Sequence, residues 1–139
     1  MGLDMYLIGD EYLPSWDVNN RPKRDGYEVT SYRLDMGYWR KHAPLHCYIT
    51  NTYTPGVDDC HEIPLDAEQL RNIAAALRNN ALPDDDDCHG FFFGTPEMWT
   101  EDRVAGVRAE HAAVFERAAA WLDEDRDDVW RSVFYQASW

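Results

Sequence analysis

The sequence predicts a single α+β domain over residues 1–139, in which a mainly antiparallel sheet is packed by one long and one or two shorter helices. Three observations carry that reading. Period-two alternation marks a segment at the start of the chain, and aromatic and β-branched residues enrich one at its end. Two other segments, 66–79 and 97–123, repeat their apolar residues at helical spacing. The length of 139 residues suits one domain with a core of its own.

Leu3, Met5 and Leu7 alternate with Asp4, Tyr6 and Ile8, which predicts a strand over Leu3–Tyr12. Asn19 to Gly26 is polar, with Pro22 and a closing Asp25-Gly26, and reads as a turn or loop. Tyr27–Met36 is rich in Tyr, Val and Thr and predicts a second strand, antiparallel to the first. Pro44 is tolerated only in a first helical turn, so Leu45–Tyr53 is read as a short helix, followed by a loop through Thr54-Pro55-Gly56 to Asp59.

Asp66 and Gln69 have the spacing of a capping box, and Leu70, Ile73, Ala74 and Leu77 fall on one helical face. That helix ends at Asn79-Asn80, before Pro83. The segment Gly90-Phe91-Phe92-Phe93-Gly94 poses a packing problem. Successive strand side chains point to opposite faces, so three Phe residues cannot share one core. Either both faces of this strand are covered, or one ring is presented to a ligand or partner. A pairing with residues 130–138 is expected, with a helix on each face or a second copy in a homodimer covering the rings.

Thr95-Pro96-Glu97 has a cap, a first-turn Pro and a first-turn acid, and opens a helix over residues 97–123. Val104, Val107, His111, Val114, Ala118 and Trp121 form its apolar face. Asp123-Glu124-Asp125 opposes the helix dipole and marks its end. Val129–Trp139 is aromatic and β-branched and predicts a C-terminal strand.

The formal net charge is −13. Residues 1–83 carry 12 acidic and 8 basic side chains, and residues 84–139 carry 14 and 5, so the second part holds −9 of the total. Such a surface repels nucleic-acid phosphates, which argues against direct DNA or RNA binding and suits a basic protein partner. No apolar run approaches membrane-spanning length, and Met1–Tyr12 lacks the basic start of a secretory signal. Cys47, Cys60 and Cys88 lack framework spacing, and reduced thiols in a cytoplasm are expected.

Several constellations bear on chemistry. His42, His46 and Cys47, with Cys60-His61 and Cys88-His89, supply zinc-type ligands, but only His42 and His46 have ligand spacing and Pro44 lies between them. No metal or cofactor is assigned, and zinc stays an alternative. Asp84–Asp87 lacks the alternation, Gly and distal Glu of a calcium loop and reads as a solvated loop. No P-loop or nucleophile elbow appears. Glu97 and His46 would form an acid–base pair if the fold brought them together. Tyr38-Trp39-Arg40-Lys41 joins aromatic faces to cations, as a recognition surface or a nucleotide-like anion site would. The competing account packs Trp39 in the core and leaves Arg40 and Lys41 in water. The candidate binding residues are Trp39, Arg40, Lys41, His46, Glu97 and Trp99.

Four segments together resemble a family of small uncharacterised bacteriophage and prophage proteins. They are Met1 to Leu7 (Met-Gly-Leu-Asp-Met-Tyr-Leu), Tyr38 to Lys41 with His46, Gly90 to Gly94 with Glu97, and Tyr135 to Trp139; Val57–Cys60 leading into Leu65–Glu68 is similar as well. His42-Ala43-Pro44 departs from the pattern, which has a polar-aliphatic helix start there, and Pro96 and Met98 stand where the family has polar residues. The resemblance implies a phage or prophage origin and a cytoplasmic setting in a bacterial host, and it implies no reaction. The resulting expectation is a non-enzymatic accessory protein, an acidic inhibitor or modulator of a host enzyme or defence component. Its contact would be the acidic C-terminal half. The alternative is a small-ligand module or enzyme using Arg40, Lys41, His46 and Glu97.

Overall fold

The first strand organises the sheet. In the computed structural model, which describes residues 2–14, 21–57, 59–82 and 101–139 (101–107 by backbone only), β1 (Asp4–Tyr12) lies between two antiparallel neighbours. One is β4 (Ser31–Arg40) and the other is β6 (Trp130–Ser138). The sheet order is β4-β1-β6-β5, with β5 (Ile63–Leu65) antiparallel to β6. A separate two-stranded hairpin, β2 (Lys23–Arg24) and β3 (Tyr27–Glu28), leads into β4. The helices are α1 (Ala43–Tyr53), α2 (Ala67–Arg78) and α3 (Glu101–Asp123). The chain is an α+β domain of the predicted class.

Alternation in β1 decides which face is buried. Met5 and Leu7 are fully buried, with Leu3 just before the strand, while Asp4, Tyr6 and Ile8 are only partly covered. Across the sheet Met5 meets Trp39 and Ala137, and Leu7 meets Tyr135, so one face is continuous over three strands. Leu45 and Ile49 of α1, Leu70, Ile73 and Leu77 of α2, and Ala112, Phe115 and Ala119 of α3 pack into the same core. Each fully buried Leu or Ile contributes on the order of 1.5–3 kcal/mol.

The α2 start forms as its sequence spacing requires. The Gln69 backbone N–H donates to Asp66 at 2.8 Å, and the Asp66 N–H donates to the Gln69 side chain at 2.9 Å. Pro44 sits in the first turn of α1, where its missing N–H costs no helical bond.

Two expectations change. The second strand does not run over Tyr27–Met36. Asp25 and Gly26 both take positive φ, 54° and 85°, which closes a tight turn and draws Tyr27 and Glu28 into the hairpin. The sheet strand begins at Ser31 and continues to Arg40. The second change is β5, unanticipated because it spans three residues around Pro64. Pro is tolerated there because, among the described residues, β5 is the outermost strand. The Phe91–Phe93 strand, the Asp84–Asp87 loop and the start of the long helix lie outside the described residues. The partner expected for the Phe strand, β6, has β1 along its whole length on one side and β5 at 133–135 on the other.

Candidate functional site

Pleating separates the sequence-predicted site residues. Trp39 is 5% exposed and lies flat on Phe115 of α3, ring centroids 5.1 Å apart and planes 4° from parallel. Arg40, the next residue, is exposed on the opposite face, with Nε 3.8 Å from an Asp4 carboxylate oxygen. The Tyr38 hydroxyl donates to the same Asp4 at 2.5 Å, and this bond raises the phenol's pKa. Lys41 takes φ 56° and donates its N–H to the Leu3 carbonyl at 2.7 Å. That bend ends β4 and turns the chain into α1.

His46 is buried beneath β6. Its Nδ1 shares a 2.6 Å hydrogen bond with the Tyr135 hydroxyl, and its ring lies 5.6 Å from that of Trp139. The structure therefore puts Trp39 and His46 in the core and Arg40 on the outer face. Glu97 and Trp99 lie outside the described residues. Beside His46, the small space bounded by Thr50, Cys60, His61 and Tyr135 holds about 10 Å³, room for one water at most. His61 pairs with Asp59 at the surface and lowers that carboxyl's pKa. Among the described residues, no three His, Cys, Asp or Glu side chains gather as metal ligands.

A different set of residues does form an open site. Tyr12, at the end of β1, lies directly opposite Trp130, at the start of β6. Both rings stand out from the domain, at 47% and 70% exposure. Together with Leu13, Pro14, Thr30, Ser31, Asp127, Asp128 and Val129 they line a cleft of about 290 Å³. The walls are held in place. Leu13 donates its N–H to the Thr30 carbonyl at 2.9 Å, and the Arg21 guanidinium reaches the Pro14 and Leu13 carbonyls at 3.1 and 3.3 Å.

The rim is acidic. Asp123 to Asp128 contains five carboxylates and one guanidinium. Asp128 accepts two bonds from Arg126, at 2.7 and 2.8 Å, which hold its carboxyl down to about 2. Asp123 is tied to Arg71 and Glu124 to Arg131. No ion pair among the described residues engages Asp125 or Asp127. Arg131 bridges Glu11 and Glu124 and lies over the Trp121 ring at 4.4 Å, fixing the end of α3 against the sheet. Aromatic faces beside ionised carboxylates attract a cation by ring quadrupole and by Coulomb attraction together.

Sequence reasoning missed this cleft. The acid-rich C-terminal half was visible, but the juxtaposition of Tyr12 and Trp130 depends on a register spanning most of the chain. No protein-family model matches the chain, and no curated protein or solved structure matches it.

Proposed function

We propose that the protein acts by binding, as a phage-borne accessory protein that engages a basic host protein through the Tyr12–Trp130 cleft. One observation carries this reading: two exposed aromatic rings, paired across β1 and β6, flank a cleft rimmed by Asp127 and Asp128. Exposed Trp and Tyr are common anchors of protein interfaces, and a charge of −13 steers a basic partner towards the rim. A protruding Arg or Lys side chain, stacked between the rings with its charge facing Asp127, suits these walls. The resemblance to phage proteins supports the bacterial host as the setting, and an inhibitor or modulator of a host enzyme or defence component fits such a contact.

The test compares what wild type and a Trp130→Ala/Asp127→Lys variant retain from a bacterial lysate at matched salt. Proteins held by wild type, released by salt and absent from the variant support the proposal. Identical retention by both proteins refutes it.

A further inference from the structure

The outer edge of β4 raises a separate question. This strand is ten residues long and forms one side of the sheet. Among the described residues, β1 pairs with its inner side and no strand pairs with its outer side. From Ser31 to Asp35 every residue is exposed, including Tyr32 at 39% and Leu34 at 38%. Long open edges present unpaired N–H and C=O groups to any strand that fits, and stable proteins protect them with Lys, Pro, short length or bulges. β4 contains no Lys and no Pro. Its protection is the irregularity where Leu7 pairs with Gly37 but Ile8 pairs with Asp35, leaving Met36 as the extra residue. The segment before the bulge has only its charges, Arg33 and Asp35, which are opposite in sign and so can be paired by a second copy.

We infer that the protein forms a symmetric dimer by antiparallel pairing of β4 with β4 of a second copy, centred on Leu34. The charge pattern selects both occupant and register. A two-fold axis normal to the sheet sets one residue opposite itself. Centring on Arg33 opposes two guanidiniums, and centring on Asp35 opposes two carboxylates. Centring on Leu34 sets Leu34 against Leu34 and Arg33 against Asp35 of the second copy, twice over. Opposite charges directly across a strand pair stabilise it and like charges destabilise it.

The row this creates alternates in sign. Arg33 already bonds Asp10 of its own β1, at 2.9 and 3.1 Å, and would then lie between two carboxylates. No ion pair among the described residues engages Asp35. β4 also spares two like-charged copies most of their mutual repulsion, because the facing strands lack the acid excess of the rest of the chain. With Arg33, Asp35 and Arg40 it carries +1 on a chain of −13. The dimer would continue the sheet across the axis and keep both sets of helices on one side. This inference is independent of the partner proposed for the cleft.

Sedimentation velocity over a concentration series tests it. Wild type is expected to dimerise as concentration rises. Asp35→Arg, which breaks no described ion pair, is expected to be monomeric and folded by circular dichroism. Arg33→Asp is expected to be monomeric too, and because it also disturbs Asp10 its fold is checked separately. Mixing the two variants restores opposite charges at both positions and is expected to restore a dimer. Leu34→Cys is expected to give a disulfide-linked dimer under mild oxidation, since Cα atoms directly opposite in such a pair lie about 4.5–5.5 Å apart. Wild type that stays monomeric throughout overturns the inference. So does a dimer unaffected by Asp35→Arg, failure of Leu34→Cys to cross-link, or a monomer that adds only another protein's strand.

Discussion

His42 and His111 face each other where α1 begins beside α3, their ring centroids 5.2 Å apart. Burial, and then the neighbouring His111, push the His42 imidazole down to about 3; burial pushes His111 to about 4. Both rings are therefore neutral at physiological pH in the folded chain. The unfolded chain takes up protons at these positions below about pH 6.5. Unfolding then binds more protons than the native state, so stability is full above about pH 6.5 and falls as the pH drops towards about 3. Each tenfold difference in proton affinity is about 1.4 kcal/mol, so buried His42 should withdraw a few kcal/mol across that window, with a smaller share from the more exposed His111, whose charge solvent screens. Urea midpoints at neutral and acid pH should show the fall, and His111→Leu should reduce it only in part, because burial alone keeps His42 depressed. An unchanged slope in that variant would remove His111 as a contributor to the acid sensitivity.

Two tryptophans should respond in opposite ways to removal. Trp39→Ala empties a site stacked on Phe115 and should cost roughly 3–5 kcal/mol. Trp130→Ala removes a ring that is 70% exposed and should change stability by no more than about 0.5 kcal/mol. Thermal melts of both variants check the contrast. A large loss in Trp130→Ala would make that ring part of the core and remove it as a binding anchor.

Tyr135→Phe keeps the ring and deletes the hydroxyl bonded to His46 Nδ1. Loss of that buried bond should cost about 1–3 kcal/mol, with the fold retained. Chemical denaturation measures the loss. A neutral result would mean that the pair adds nothing to stability and leave specificity of packing as its role.

Gly9 and Gly37 should differ in their tolerance of alanine. A Cβ at Gly9 would lie 2.5 Å from the terminal methyl of Met36, a flexible group able to turn away. A Cβ at Gly37 would lie 2.8 Å from the Trp39 ring and 2.9 Å from a Val114 methyl, both packed. Gly37→Ala should therefore fall at the upper end of the roughly 1–3 kcal/mol expected for overpacking, and Gly9→Ala at the lower end. Unfolding midpoints of the two variants decide the order.

Local signals were the legible ones. The Asp66–Gln69 box, the α2 face from Leu70 to Leu77 and the alternation of Leu3, Met5 and Leu7 depend on neighbours in sequence, and each forms as its spacing implies. The start of β4 is not legible in composition because Asp25-Gly26 turns the chain so tightly that Tyr27 leaves the sheet. β5 was illegible because three residues around a Pro carry no period. The site was harder still. Trp39 beside Arg40 looks like a recognition pair in sequence, yet pleating sends one inward and the other out. Tyr12 and Trp130 look unrelated in sequence, and the β1–β6 register makes them neighbours.

That register also governs how the chain reaches its fold. The centre of the sheet joins residues 4–12 to residues 130–138. During synthesis β1 must therefore wait for residues 13–129 to emerge before its second neighbour does. Closing so long a loop is entropically costly, and such non-local pairing slows folding. Until then the half-dressed β1 exposes Met5 and Leu7 along an open flank, which makes the nascent chain most vulnerable to aggregation just before β6 arrives.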